Sequence, residues 1–149
     1  MDAIPALLQS HFEDPYHRGS CERATHGSQA HDPGSRHFVS MQLRIDERVV
    51  ERREGDAHRL IEEAWFDSQG CVYCEGPASM LVQYCEGKSV DEFEGLDDSF
   101  FLRLTELDRI AEPASCQMLA WTAFQAALYS TEFDDNRPLF GGPSLGEES

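Results

Sequence analysis

Positive charge is scarce in this chain. Lysine and arginine total 12 against 28 aspartates and glutamates, a formal net charge of −16 over 149 residues. Such a chain repels nucleic acid, and no basic stripe offsets the excess. Anionic membrane surfaces are excluded on the same ground. Long apolar runs are lacking too: none approaches the ~20 residues of a transmembrane span, and the N-terminus shows no apolar signal-peptide core. The expectation is a cytoplasmic chain that binds neither nucleic acid nor membrane. A disulfide framework is also missing. The five cysteines are odd in number and clustered, which in a reducing cytoplasm suits metal or sulfur chemistry better. The length suits one domain with a core that needs no staples. No internal repeat and no second domain is apparent.

What the chain does have is concentrated between Phe66 and Met80. The stretch reads as the end of a strand, a tight turn at Gly70, and the opening of a helix. Cys71 sits at the turn and Cys74 three residues on. A thiol there lies near the orphan N–H groups and positive end of a helix, which favour the thiolate that binds metal and attacks sulfur. Cys-x-x-Cys alone is only moderately specific, and a metal reading needs partners elsewhere in the chain.

Around this stretch the pattern is mixed. Ile4 to Gln9 predicts a short amphipathic helix with Pro5 near its first turn. Residues 16–36 are polar and rich in His, Gly and Ser, and Ala24 to His31 has poor strand propensity. Val39, Met41, Leu43 and Ile45 alternate with Ser40, Gln42 and Arg44, the mark of a half-buried strand. Arg48 to His58 reads as a charged hairpin connection, and Leu60 to Phe66 as the returning strand, antiparallel to the first. The next helix has Pro77 in its first turn, Ala78, Leu81, Val82 and Cys85 on one face, and Gly87 at its end. Ser89 to Glu92 is a capping box. Asp97 or Asp98 caps a helix with Phe100, Phe101, Leu104 and Leu107 as its apolar residues. Pro113 breaks the chain, and Cys116 to Leu128 forms the most apolar helix. Residues 131–149 read as a disordered acidic tail after a domain spanning 1–130.

The order of motifs resembles the NifU N-terminal domain family, the IscU and SufU iron–sulfur scaffolds. The resemblance rests on a strand ending in Phe66 before Gly70-Cys71, on Ala78-Ser79, on Gly87-Lys88, and on Cys116 opening the last helix. His11-Phe12-x-x-Pro15 with Gly19 matches the family's N-terminal segment, so that roughly residues 4 to 130 are covered. The implied fold is α+β, a small antiparallel sheet packed by helices on one face. It also implies an edge strand near Ala24 to His31, which the residues themselves leave open.

The family places three cysteines and one aspartate at one end of the molecule. By this resemblance Cys71 and Cys116 match the second and third cysteines. In the turn Asp32-Pro33-Gly34-Ser35-Arg36-His37, Ser35 stands at the first cysteine and His37 at the aspartate. A serine hydroxyl is a poor ligand for iron or zinc and cannot carry a persulfide, whereas a neutral imidazole is a competent ligand. Cys74 is not a usual family ligand, but its spacing lets it face the same ion. The implied set is His37, Cys71, Cys74 and Cys116, holding zinc or an iron–sulfur cluster. Cys74 is equally compatible with a packed helix residue, and His37 with a solvated loop residue. Cys85 reads as core, Cys21 as incidental, and His11, His26 and His31 as surface or packing residues, with His31 near enough in sequence to reach the site. The family's chaperone-recognition tract, Leu-Pro-Pro-x-Lys, is reduced here to one proline and no lysine before Cys116.

The function the resemblance implies is an iron–sulfur cluster assembly scaffold rather than an enzyme. It would accept sulfur from a cysteine desulfurase on Cys71 or Cys116 and serve apo iron–sulfur proteins. The alternatives are a zinc-dependent sulfurtransferase of the SufU type, in which sulfur lands on the cysteine replaced here by Ser35, and a non-assembling relative with a structural metal.

Overall fold

The computed structural model describes residues 4–34, 36–46, 59–109 and 116–130. Three strands form one antiparallel sheet in the order β1 (His26–His31), β2 (Phe38–Asp46) and β3 (Leu60–Gln69). The helices are α1 (Ala6–Glu13), α2 (Val72–Cys85), α3 (Asp98–Leu104) and α4 (Leu119–Leu128). This is the expected α+β architecture. The hairpin connection 48–58, the tract 110–115, Ser35 and the tail 131–149 lie outside the described residues.

The register explains the core. Val39, Met41 and Leu43 pair with Ser68, Phe66 and Ala64, and a register shift after Arg44 brings Ile45 opposite Ile61. All eight side chains are buried on one face. Helix α2 packs on that face over β3, α4 packs over β1 and β2, and α1 lies against α2. Phe124 and Trp121 stack with centroids 5.9 Å apart, and Phe101 also stacks with Trp121, at 5.5 Å. Each such side chain contributes about 1.5–3 kcal/mol by leaving water.

Four expectations need correction. Strand β2 is not half-buried: Ser40 and Gln42 on its polar face are buried as well. Residues 19–23 pass over this face, and the Cys21 N–H donates to Gln42 Oε1 at 2.7 Å. Strand β3 continues to Gln69 rather than stopping at Phe66, because Asp67, Ser68 and Gln69 pair with Ser40, Val39 and Phe38 of β2, and residues 17–19 run along its outer edge at Phe66. There the Phe66 N–H donates to the His17 carbonyl, and the Gly19 N–H to the Phe66 carbonyl. Helix α2 starts at Val72, so Pro77 falls in its second turn. The helix is buried almost all round from Cys74 to Val82, which outweighs the hydrogen bond that proline removes. Finally, Cys116 does not open α4 but sits in the turn before it, where its carbonyl accepts from the Leu119 N–H.

The edge strand forms despite its polar sequence. Six consecutive residues pair with β2, from His26↔Leu43 to His31↔Phe38. Backbone pairing and cover from α4 supply what propensity does not. Two caps are as expected: Ser89 and Glu92 form a capping box, here on a 3₁₀ turn, and the Asp97 carboxylate accepts from the N–H groups of Ser99 and Phe100 at the start of α3.

Candidate metal centre

Three separate elements bring the site together. Cys71 is the N-cap of α2, and Cys74 lies in its first turn. Cys116 comes from the turn leading into α4. His37 immediately precedes β2, held where the Asp32 N–H donates to its carbonyl at 3.0 Å. One ligand atom from each of His37, Cys71, Cys74 and Cys116 lies within 4.8 Å of every other. No other such group occurs among the described residues. The four side chains implied by the sequence therefore meet. His31 does not join them and packs near Phe38, with ring centroids 5.7 Å apart.

The packing is tight. Cys74 and Cys116 are each 1% exposed, whereas Cys71 is half-buried. The sulfurs of Cys71 and Cys116 are 3.7 Å apart, and the Cys74 thiol donates to the Cys116 carbonyl at 3.7 Å. Gly70 is required by this crowding. A Cβ there would stand 2.8 Å from Cys74 Sγ, 2.9 Å from its Cβ and 3.4 Å from His37 Cδ2.

Burial changes the thiol chemistry. The helix N-terminus does help Cys71, whose sulfur accepts a backbone N–H hydrogen bond from Tyr73, but desolvation is the larger effect and raises its pKa. The expectation of a favoured thiolate is thus overturned in the metal-free protein. Cys116 is pushed up as well, first by its hydrogen bond with Cys74 and then by burial. A cation would reverse this balance, since it takes the thiolate form and repays the desolvation. Two sulfurs on one tetrahedral ion at ~2.3 Å bonds stand about 3.8 Å apart, close to the 3.7 Å between Cys71 and Cys116. Three thiols and an imidazole are also a fitting donor set for zinc or iron.

Of the remaining cysteines, Cys85 belongs to the core and Cys21 is buried where its loop covers the polar face of β2. Burial raises Cys21 to about 11 and pushes Cys85 higher still. Sequence reasoning misses Arg18, which braces the turn behind the site. Its guanidinium bonds the Ser68 carbonyl, Glu75 and Asp67 at 3.0, 3.1 and 3.3 Å. Arg18 is one of three arginines in the polar stretch 16–36, and nothing in its spacing sets it apart from Arg23 and Arg36.

Residues 6–135 match the family model described as the NifU-like N terminal domain. The chain belongs to this family. Among curated relatives, it is 23% identical over 129 residues to the iron–sulfur cluster assembly scaffold protein IscU of Buchnera aphidicola subsp. Acyrthosiphon pisum (strain APS), covering 85% of this chain and 92% of that protein. Its identity to IscU of Buchnera aphidicola subsp. Schizaphis graminum (strain Sg) is 22% over 138 residues, covering 91% and 98%. Among solved structures, the fold is similar to a putative SUF-system scaffold protein from Fervidobacterium islandicum AW-1. The TM-score is 0.59 at 12% identity, covering 84% of this chain and 96% of that one. No helix among the described residues is long and apolar enough to cross a membrane.

Proposed function

We propose that this NifU-family chain is an iron–sulfur cluster assembly scaffold. It gathers iron and sulfide at His37, Cys71, Cys74 and Cys116 and hands the cluster on as cargo to apo iron–sulfur proteins. Its sulfur comes from a cysteine desulfurase. The observation that carries the reading is the convergence of three thiols and one imidazole within 4.8 Å. The names of the curated relatives support it. Thiolates are the ligands that iron–sulfur clusters use, and a histidine can stand in for one of them. Cys74 supplies a thiol where Ser35 replaces one. The free cysteines suit a reducing compartment, which we take to be the cytoplasm.

A second reading is favoured by the compactness of the set. Four ligand atoms this close suit a single ion more readily than ligands shared between two irons. The same residues would then close around zinc, in a sulfur acceptor of the SufU type or a relative with a structural metal. Anaerobic reconstitution with iron and sulfide, followed by visible absorbance and metal analysis, separates the two. A coloured chain holding iron and acid-labile sulfide supports the scaffold. A colourless chain retaining one zinc, and taking up no iron, sinks it in favour of the second reading.

A further inference from the structure

The three thiols are not equivalent. Cys71 alone is half-buried, so it is the thiol an outside donor reaches; Cys74 and Cys116 are each 1% exposed. Cys71 Sγ lies 3.7 Å from Cys116 Sγ, in van der Waals contact. A disulfide is ~2.05 Å long, so side-chain rotation closing about 1.7 Å would join this pair. Cys74 also touches Cys116, donating to its carbonyl at 3.7 Å, but like Cys116 it is closed off from solvent.

We propose that, in the metal-free protein, Cys71 is the entry thiol for sulfane sulfur and Cys116 the resolving thiol that discharges it as sulfide. This rests on the reading that the chain accepts sulfur, and adds to it an order of events and a source of electrons. First, a persulfide donor, protein or small molecule, transfers its terminal sulfur to Cys71 and departs as a thiol. Cys71 then carries –S–SH. Next, the Cys116 sulfur attacks Cys71 Sγ, the inner sulfur. The Cys71–Cys116 bond forms as the bond to the terminal sulfur breaks. The terminal sulfur leaves with that electron pair as hydrosulfide and takes up the Cys116 proton. Two thiols are oxidised by two electrons, and the sulfane sulfur is reduced by two. No outside reductant enters until a dithiol resets the pair by thiol–disulfide exchange. Burial of Cys116 keeps bulk thiols from reaching it, and of the two thiols beside it Cys71 is the one that an outside donor can load.

The test uses the full chain, reduced and stripped of metal, with one equivalent of glutathione persulfide under anaerobic conditions. Sulfide is trapped with a bimane, and the protein is read by intact mass and peptide mapping. The expected wild-type result is about one sulfide per chain and a loss of about 2 Da, with Cys71 linked to Cys116. Cys116→Ser should instead hold a gain of about 32 Da on Cys71 and release sulfide at least about tenfold more slowly. Cys116→Ala provides the same reading should the serine variant fold poorly. Cys71→Ser should show neither product and sets the background. Cys85→Ala should match wild type. A stable persulfide on wild-type Cys71, a Cys71–Cys74 disulfide, or unchanged sulfide release in both Cys116 variants would overturn the proposal. Iron is absent throughout, so this result and that of cluster reconstitution fail or succeed independently.

Discussion

Helix α2 carries a buried cysteine near each end, and the two ends are built on different chemistry. At the N-terminal end, Cys74 meets Cys71 of its own helix cap together with Cys116 and His37, which come from elements far apart in sequence. At the C-terminal end, Cys85 donates to the Val82 carbonyl of its own helix at 3.5 Å. Beside it the Glu86 carboxylate closes a network of strong polar bonds. It accepts from the Tyr16 hydroxyl and from the Ala64 N–H at 2.9 Å, and it sits 2.7 Å from His17 Nδ1. The His17 ring is stacked between Tyr16 and Trp65, with centroids 4.0 and 4.2 Å apart. A carboxylate at a helix C-terminus opposes the dipole, and these donors offset that cost. The C-terminal end is complete on its own bonds. The N-terminal end brings together soft donors, and the thiolates of Cys71 and Cys116 are disfavoured there without a cation. Stability resides at one end, and the donor set proposed to bind metal gathers at the other.

The sharpest way to break this comparison is to make the same truncation at both ends. Cys74→Ala should weaken metal retention by roughly 10- to 100-fold, as loss of a metal ligand does. Cys85→Ala should leave metal content unchanged and cost about 1 kcal/mol of packing. Metal stoichiometry and a competition titration on both variants check this. Full retention in Cys74→Ala would make Cys74 a packing residue like Cys85.

Much of this contrast was legible in the sequence, and the missing parts have physical reasons. The alternation from Val39 to Ile45 marks β2 because one face meets apolar helices. It could not show that Ser40 and Gln42 are buried, because their cover comes from a loop that pairs through Cys21. Cys71 and Cys116 were found through family motifs and Cys74 through its spacing. The polar end was missed altogether. Tyr16, His17 and Glu86 are scattered, and only the long-range path of residues 16–19 along β3 joins them. The sign of the Cys71 shift was also hidden, because a helix terminus is visible in sequence and burial is not.

The next largest effect should come from Glu86→Ala. It leaves the Tyr16 hydroxyl and the Ala64 N–H without their acceptor, and His17 Nδ1 with only the Ala64 carbonyl at 3.1 Å. The expected loss is about 1–3 kcal/mol in denaturant unfolding, with metal affinity unchanged. A matching loss of metal would show that the two ends are coupled through α2. Gly70→Ala should do the reverse and spare the polar end. Its Cβ would press on Cys74, at 2.8 Å from the sulfur and 2.9 Å from its Cβ, and a short side chain has little room to yield. Overpacking of this kind costs about 1–3 kcal/mol, and here it should appear chiefly as several-fold weaker metal binding, read in the same titration.

The smallest expected effect is a pH dependence confined to the polar end. Tyr16 has its pKa raised from 10.0 to about 12, first by its hydrogen bond to Glu86 and then by burial. The folded protein therefore holds this proton more tightly than the unfolded chain does. The stabilisation is fully present below the unfolded value near 10 and is lost as pH rises toward about 12. Stability measured by urea unfolding across this window should fall more steeply in wild type than in Tyr16→Phe. The variant has no hydroxyl to ionise, yet keeps the ring that stacks on His17. Because the ring is partly open to solvent, the difference should be a modest fraction of the Glu86→Ala effect. Parallel pH profiles for the two proteins would show that Tyr16 and Glu86 are not bonded in solution, and the C-terminal end of α2 would lose part of its claim to be self-sufficient.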